Sequence, residues 1–147
     1  LCKTIKALEE LEHINIVYRP RKITDLVNAD NPSFKGCNAL DIPSIVLSDW
    51  ADIGILYGSS IGFQLLLDKV PIIVPSYIHN NSTIYETYDV CIKAENIKKL
   101  IWILSHDKRA INDLVDHEKS RKLINDIFYG NKTYQMLMEE YFNIVVG

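Results

Sequence analysis

The sequence is short of cysteine and lacks any pattern of it. Three Cys in 147 residues, at positions 2, 37 and 91, are odd in number and scattered. There is no Cys-x-x-Cys and no Cys/His cluster with zinc-site spacing, which excludes a disulfide scaffold and a zinc module. The thiols read as reduced side chains of a cytoplasmic protein. Long hydrophobic runs are also lacking. The longest, residues 52–57 and 70–75, fall far short of the ~20 residues that a membrane-spanning helix needs, and no secretory leader is visible. Six Gly and five Pro exclude collagen-like or Pro-rich material. A basic excess is missing too. Sixteen Lys+Arg face nineteen Asp+Glu, a net charge of -3, which argues against a nucleic-acid partner but leaves room for a local basic patch that binds phosphate.

What is present is an ordinary globular balance. With 48% hydrophobic and 24% charged residues, the chain has the means for one domain with a real core and is too short for two. It opens at Leu1 directly in a helical pattern, so the sequence is expected to be a piece of a longer protein. Residues 2–11 place Ile5, Leu8 and Leu11 at helical spacing. Residues 14–18 (INIVY) form a β-branched and aromatic run stopped by Pro20. Residues 21–41 are expected to be loop with a short element. Asp41-Ile42-Pro43 resembles a helix entry, with Asp41 near the cap of a helix over 43–50.

Further along, 52–57 (DIGILY) and 70–75 (VPIIVP) read as strands on either side of a helix at 61–68. A polar loop at 76–82, one helical turn at 83–88 and a short strand at 89–92 follow. Helices are expected at 95–105, 108–128 and 133–142, the last two separated at Gly130-Asn131. Apolar strands alternating with helices predict a doubly wound α/β fold, a parallel sheet of 14–18, 52–57, 70–75 and 89–92 covered on both faces. The boundaries are an α/β core over 1–105 and a helical tail over 106–147, in which Ile111, Leu114, Val115, Leu123, Ile124 and Ile127 form an apolar stripe.

Such sheets bind ligands at the carboxyl ends of their strands. Gly58-Ser59-Ser60 stands there, between a strand and a helix. Glycine permits a tight turn, and the two hydroxyls with the helix amides suit phosphate; the alternative is that one serine only caps the helix. Arg19-Pro20-Arg21-Lys22 follows the first strand. Arg19 and Arg21 are able to hold a diphosphate or a sugar acid, or else form a solvated basic turn. The loop from Ser76 to Thr83, with His79, is dense in hydrogen-bonding groups, as a sugar or nucleotide loop should be, or as any exposed Asn/Ser turn is. Gln64, on the first turns of the helix, is a further candidate, as are Glu86 and Glu95 for ribose hydroxyls. Met136 and Met138 read as packing residues. No spacing argues for a metal site, a carboxylate pair or a Ser-His-Asp arrangement, so no catalytic residue and no cofactor is assigned.

The strand ending in VYRP at 17–20, the long loop, the short helix, the block ADIGILYGSSIGFQLLLDKVPIIVP at 51–75, the polar loop and the helical tail together resemble the C-terminal half of GT-B glycosyltransferases. The resemblance is to the bacterial surface-polysaccharide branch, which includes capsule glycosyltransferases and the CDP-glycerol glycerophosphotransferases of teichoic acid synthesis. It covers about residues 14–104, and its specific part is 52–75. It implies a Rossmann-like half of a GT-B fold, in which Ser59 and Ser60 match the serine pair that meets donor phosphates. Arg19-Pro20 matches the strand-end motif. Arg21 replaces a frequent His and leaves an electrostatic role. Gln64 replaces a frequent Glu and still offers a hydrogen bond to a ribose or sugar hydroxyl. Lys69-Val70-Pro71 replaces Gly-x-Pro with little expected chemical consequence.

The implied partners are a nucleotide-activated sugar or polyol donor, a glycan acceptor and an N-terminal domain that carries the catalytic base. The implied chemistry is metal-independent, in the cytoplasm or at the inner membrane face, with peripheral membrane association through the full-length protein. Two other functions remain open: half of a nucleotide-sugar epimerase of the same architecture, against which Gln64 and the lack of Glu in 61–67 speak, and a non-catalytic α/β domain that binds a nucleotide or a partner.

Overall fold

A computed structural model of the chain describes residues 2–19, 37–38, 42–130, 132, 136 and 139. The β-branched runs become strands, and every strand pairing among the described residues is parallel. Strand β1 (Val17–Tyr18) pairs with β2 (Cys37–Asn38) in one small sheet. Strands β3 (Gly54–Ile55), β4 (Ile72–Pro75) and β5 (Ile92–Ala94) form a second, three-stranded sheet in the order β3-β4-β5. Gly54 stands opposite Ile72, and Ile73 opposite Ile92.

The central strand β4 explains why its sequence is apolar without alternation. Ile72, Ile73 and Val74 are all fully buried, because successive side chains point to opposite faces and helices cover both. Ile72 and Val74 join a core with Leu65, Leu66, Tyr85 and Leu123. Ile73 joins a second core with Leu8, Leu100, Ile103 and Ile111.

The helices are α1 (Cys2–Glu9), α2 (Ser44–Trp50), α3 (Ile61–Leu67), α4 (Ile84–Thr87), α5 (Ile97–Leu104), α6 (Lys108–Asn112) and α7 (His117–Ile124). A turn of π-helix at Asn125–Tyr129 continues α7 and stops at Gly130. Among the described residues no helix is long and apolar enough to cross a membrane. Caps set several of the helix starts. The Asn96 side chain accepts the Lys99 N–H, Asp107 accepts that of Arg109, and Asp116 accepts those of Glu118 and Lys119. Each satisfies amides that a first helical turn leaves without partners.

Several expectations are corrected. The strand expected at 89–92 lies at Ile92–Ala94, because Asp89 is taken up in ending α4. Residues 14–18 do not join the three-stranded sheet; β1 pairs with Cys37–Asn38, inside the stretch expected to be mostly loop. The single helix expected at 108–128 is two helices, since the Asp116 side chain starts a new one. Of its apolar stripe, Ile111, Leu123 and Ile124 are buried, whereas Leu114 and Ile127 are exposed. Pro43 occupies the cap position of α2 with no side-chain bond. Asp41 lies outside what the structure describes; of the helix expected at 133–142 the structure describes Met136 and Glu139, both helical.

The end of α3 places Lys69 in an unusual backbone conformation. Helix α3 ends with the Lys69 N–H on the Leu66 carbonyl and the Val70 N–H on the Leu65 carbonyl, the two bonds of a Schellman motif. Lys69 therefore sits at φ +58°, the left-handed region that favours glycine. Helix α4 ends the same way through Val90 to Tyr85 and Asp89 to Glu86, with Asp89 at φ +54°. Lys69 therefore carries a conformational cost.

Candidate functional site

The turn at the carboxyl end of β3 is shaped by its own backbone. Gly58 has φ +58° and open space where a side chain would stand, so glycine serves the conformation here and not a close contact. The Ser59 carbonyl accepts the Gly62 N–H at 3.1 Å, and the Ser60 carbonyl accepts that of Phe63 at 3.1 Å. Ser60 stands at the cap position of α3 with helical dihedrals and makes no side-chain cap bond. The two exposed serines therefore keep their hydroxyls free of protein partners among the described residues.

The turn is anchored from below by a residue that the sequence reading passed over. The Tyr85 hydroxyl donates to the Ser59 carbonyl at 2.6 Å, and the ring is 1% exposed. Burial pushes the phenol up to about 12, so it stays a donor at neutral pH. Tyr85 reaches the turn because Gly62 has no side chain. A Cβ there would stand 2.4 Å from the Tyr85 Cζ and 2.5 Å from its hydroxyl. The signal was available in the sequence: a glycine inside an apolar helix costs about 1 kcal/mol relative to alanine and often marks a close approach.

Arg19, at the carboxyl end of β1, donates from Nε to the Ile42 carbonyl at 2.9 Å. This fixes the side chain while its Nη groups make no hydrogen bond or ion pair among the described residues. Arg19, Ser59, Ser60 and Gln64 line one cleft of about 700 Å³. Among its described lining residues Arg19 is the one charged group, and Phe63 and Phe128, whose rings meet edge-on at 5.2 Å, give it an apolar wall. A second groove of about 1650 Å³ also touches Arg19 and Gly58–Ser60 and extends to Asn81, Ser82 and Thr83. Arg19 and Ser59 are 40 residues apart in sequence and line the same cleft.

The other sequence candidates have visible local duties. The Gln64 amide donates to both carboxylate oxygens of Asp68, at 2.9 and 3.1 Å, leaving its carbonyl as the group for a ligand. The Thr83 hydroxyl accepts the Glu86 N–H at 3.3 Å while the Glu86 carboxylate accepts the Thr83 N–H at 2.7 Å. This is a capping box, and it occupies both Thr83 and Glu86. Glu95 is exposed beside β5, and Arg21 lies outside the described residues. The His79 ring packs at 4.2 Å from that of Tyr57, and neither of its enclosed nitrogens has a hydrogen-bond partner among the described residues. No group of three or more His, Cys, Asp or Glu among the described residues is placed to hold a metal ion. Cys91 is a free thiol pushed up to about 12, first by burial and then by the nearby Glu86, which leaves it a poor nucleophile at neutral pH.

Among the described residues, the arrangement therefore offers one cation with free Nη donors and two free hydroxyls in a cleft with an apolar wall, at the carboxyl ends of β1 and β3. Those are the donors that a phosphate or another polyoxygen anion accepts from. Comparison with protein-family models, with curated proteins and with solved structures found no match to this chain.

Proposed function

We propose that the chain is the donor-nucleotide-binding half of a GT-B glycosyltransferase or glycerophosphotransferase of bacterial surface-polysaccharide synthesis, with a doubly wound core. The observation that carries this reading is the shared cleft of Arg19, Ser59 and Ser60. The donor's diphosphate accepts from the Ser59 and Ser60 hydroxyls and from Arg19, and the apolar wall takes a less polar part of the donor. These groups stabilise the negative charge that builds on the departing phosphate. The acceptor and the catalytic base belong to a partner domain.

Calorimetric titration of CDP, UDP and GDP tests the reading. Replacing both Ser59 and Ser60 with Ala removes two hydroxyl donors and should cost about 1–3 kcal/mol, roughly 5- to 150-fold in affinity. Arg19→Ala should weaken binding in a way that fades at high salt, and His79→Ala should matter less. Equal binding by the wild type and the double-serine variant would refute the site.

A further inference from the structure

The outward stripe of α3 changes chemistry along its length. Gly62, Leu65 and Leu66 face the core, so Ser60, Phe63, Gln64 and Leu67, spaced at three and four residues, share the other face. Their order runs from a hydroxyl at the start of the helix, through a ring and an amide, to an exposed apolar side chain in its last turn. At 1.5 Å of rise per residue, Leu67 stands about 10 Å along the axis from Ser60.

Helices α2 and α7 both pack against α3 and complete the cleft of about 700 Å³. Ile45 comes from α2, and Phe128 from the π-helical turn that continues α7. Ile45, Leu67 and Phe128 are each more than half exposed, yet all three line this one cleft. Large apolar side chains left together in water forgo the burial that drives packing, and such a patch marks a binding surface.

Charge gives the cleft a direction. Arg19, Ser59 and Ser60 line both this cleft and the larger groove beside it, whereas Phe63, Leu67 and Phe128 line this cleft alone. The donors therefore stand at the end next to the groove and the apolar side chains away from it. Asp68, held by the Gln64 amide at 2.9 and 3.1 Å, puts an acid at the far end of α3, where it repels an anion.

We infer that the cleft also binds a phosphate ester of a long-chain alcohol, its phosphate on Arg19, Ser59 and Ser60 and its hydrocarbon chain along Phe63, Leu67 and Phe128. Arg19 and the hydroxyls donate to the phosphate oxygens. The chain covers the apolar patch and asks no hydrogen bond of it, whereas a peptide would set backbone N–H and C=O groups against that wall unpaired. The volume is that of a small-ligand site. The inference rests on the phosphate subsite of the nucleotide reading and not on a nucleotide.

Calorimetric titration of the chain with methyl, butyl, hexyl and octyl phosphate, each kept monomeric, tests this. A fully buried methylene multiplies affinity by about 4. The apolar side chains lie open to solvent, so affinity should rise about 2- to 4-fold per added carbon. Leu67→Asn and Phe128→Ser, both at exposed positions, should bring that factor toward 1. Arg19→Ala should lower every affinity by the same factor and keep the rise, and bound CDP should displace octyl phosphate. Equal binding of methyl and octyl phosphate overturns the inference, and CDP binding in that case leaves the nucleotide reading standing. A rise that survives both apolar substitutions overturns it too, because the hydrocarbon then lies elsewhere. So does binding to anionic-lipid vesicles without binding to monomeric octyl phosphate, which points to a membrane surface. A rise with chain length beside no binding of CDP supports the inference and refutes the nucleotide.

Discussion

Gly62→Ala is the substitution whose outcome the packing decides most directly. By helix propensity alone it should stabilise α3 by up to about 1 kcal/mol. The added Cβ, however, would stand 2.4 Å from the Tyr85 Cζ, 2.5 Å from its hydroxyl and 2.9 Å from its Cε1. Comfortable carbon contacts begin near 3.5 Å, so the ring or the helix has to move by about 1 Å. The ring has little room, since it is 1% exposed and packed in the core with Leu65, Leu66 and Val74. Overpacking of this kind costs about 1–3 kcal/mol. A displaced ring also loses its bond to the Ser59 carbonyl, worth about 0.5–1.5 kcal/mol. The balance is a loss of about 0.5–3.5 kcal/mol. For a chain of this size the urea midpoint should fall by roughly 1 M if the loss is near 2 kcal/mol. Tyr85→Leu opens the space, so the double variant should be less destabilised than the sum of the two singles by at least about 1 kcal/mol. A Gly62→Ala protein as stable as the wild type, or strict additivity with Tyr85→Leu, would refute the reasoning.

Lys69→Gly relieves a left-handed residue at the end of α3 and should raise stability by about 0.5–1 kcal/mol, read as a higher denaturant midpoint with an unchanged slope. Thr83→Ala removes half of the α4 capping box and should cost about 1 kcal/mol in thermal or urea unfolding, whereas Thr83→Ser should cost little. The Cys91 thiol and Tyr85 phenol are raised to about 12 from ordinary values of 9.0 and 10.0. The folded chain holds these protons more tightly than the unfolded one, so their contribution is complete below pH 9 and is lost as pH rises toward 12. The urea midpoint should fall across that range, and less steeply in Cys91→Ala. At pH 8 a disulfide exchange reagent should modify Cys91 far more slowly in the native chain than in urea.

Much of the architecture was legible because it is written in local pattern. Apolar runs such as Ile72–Pro75 have no alternation, and in a chain of this length that signals a strand covered on both faces. The start of α4 at Thr83 carries its own capping signature. What was not legible depends on partners distant in sequence. Cys37–Asn38 forms a strand because Val17–Tyr18 lies beside it, and no propensity in that polar stretch announces it. The stretch 108–128 looked like one helix because its apolar residues keep a helical period, yet the Asp116 side chain bonds the Glu118 and Lys119 amides and starts a second helix.

The sequence by itself determined the alternation of strands and helices and the placing of Gly58, Ser59, Ser60 and Arg19 at strand ends. Periodicity, glycine and proline act over a few residues, within the reach of a sequence reading. Only the tertiary structure decided that Arg19 and the two serines share a cleft, that Thr83 and Glu86 serve each other as a cap, and that Tyr85 holds the serine turn across 26 residues of chain. Those facts depend on where parallel strands bring their ends and on which side chains then compete for the same space and the same hydrogen bonds, and neither is encoded in any single segment.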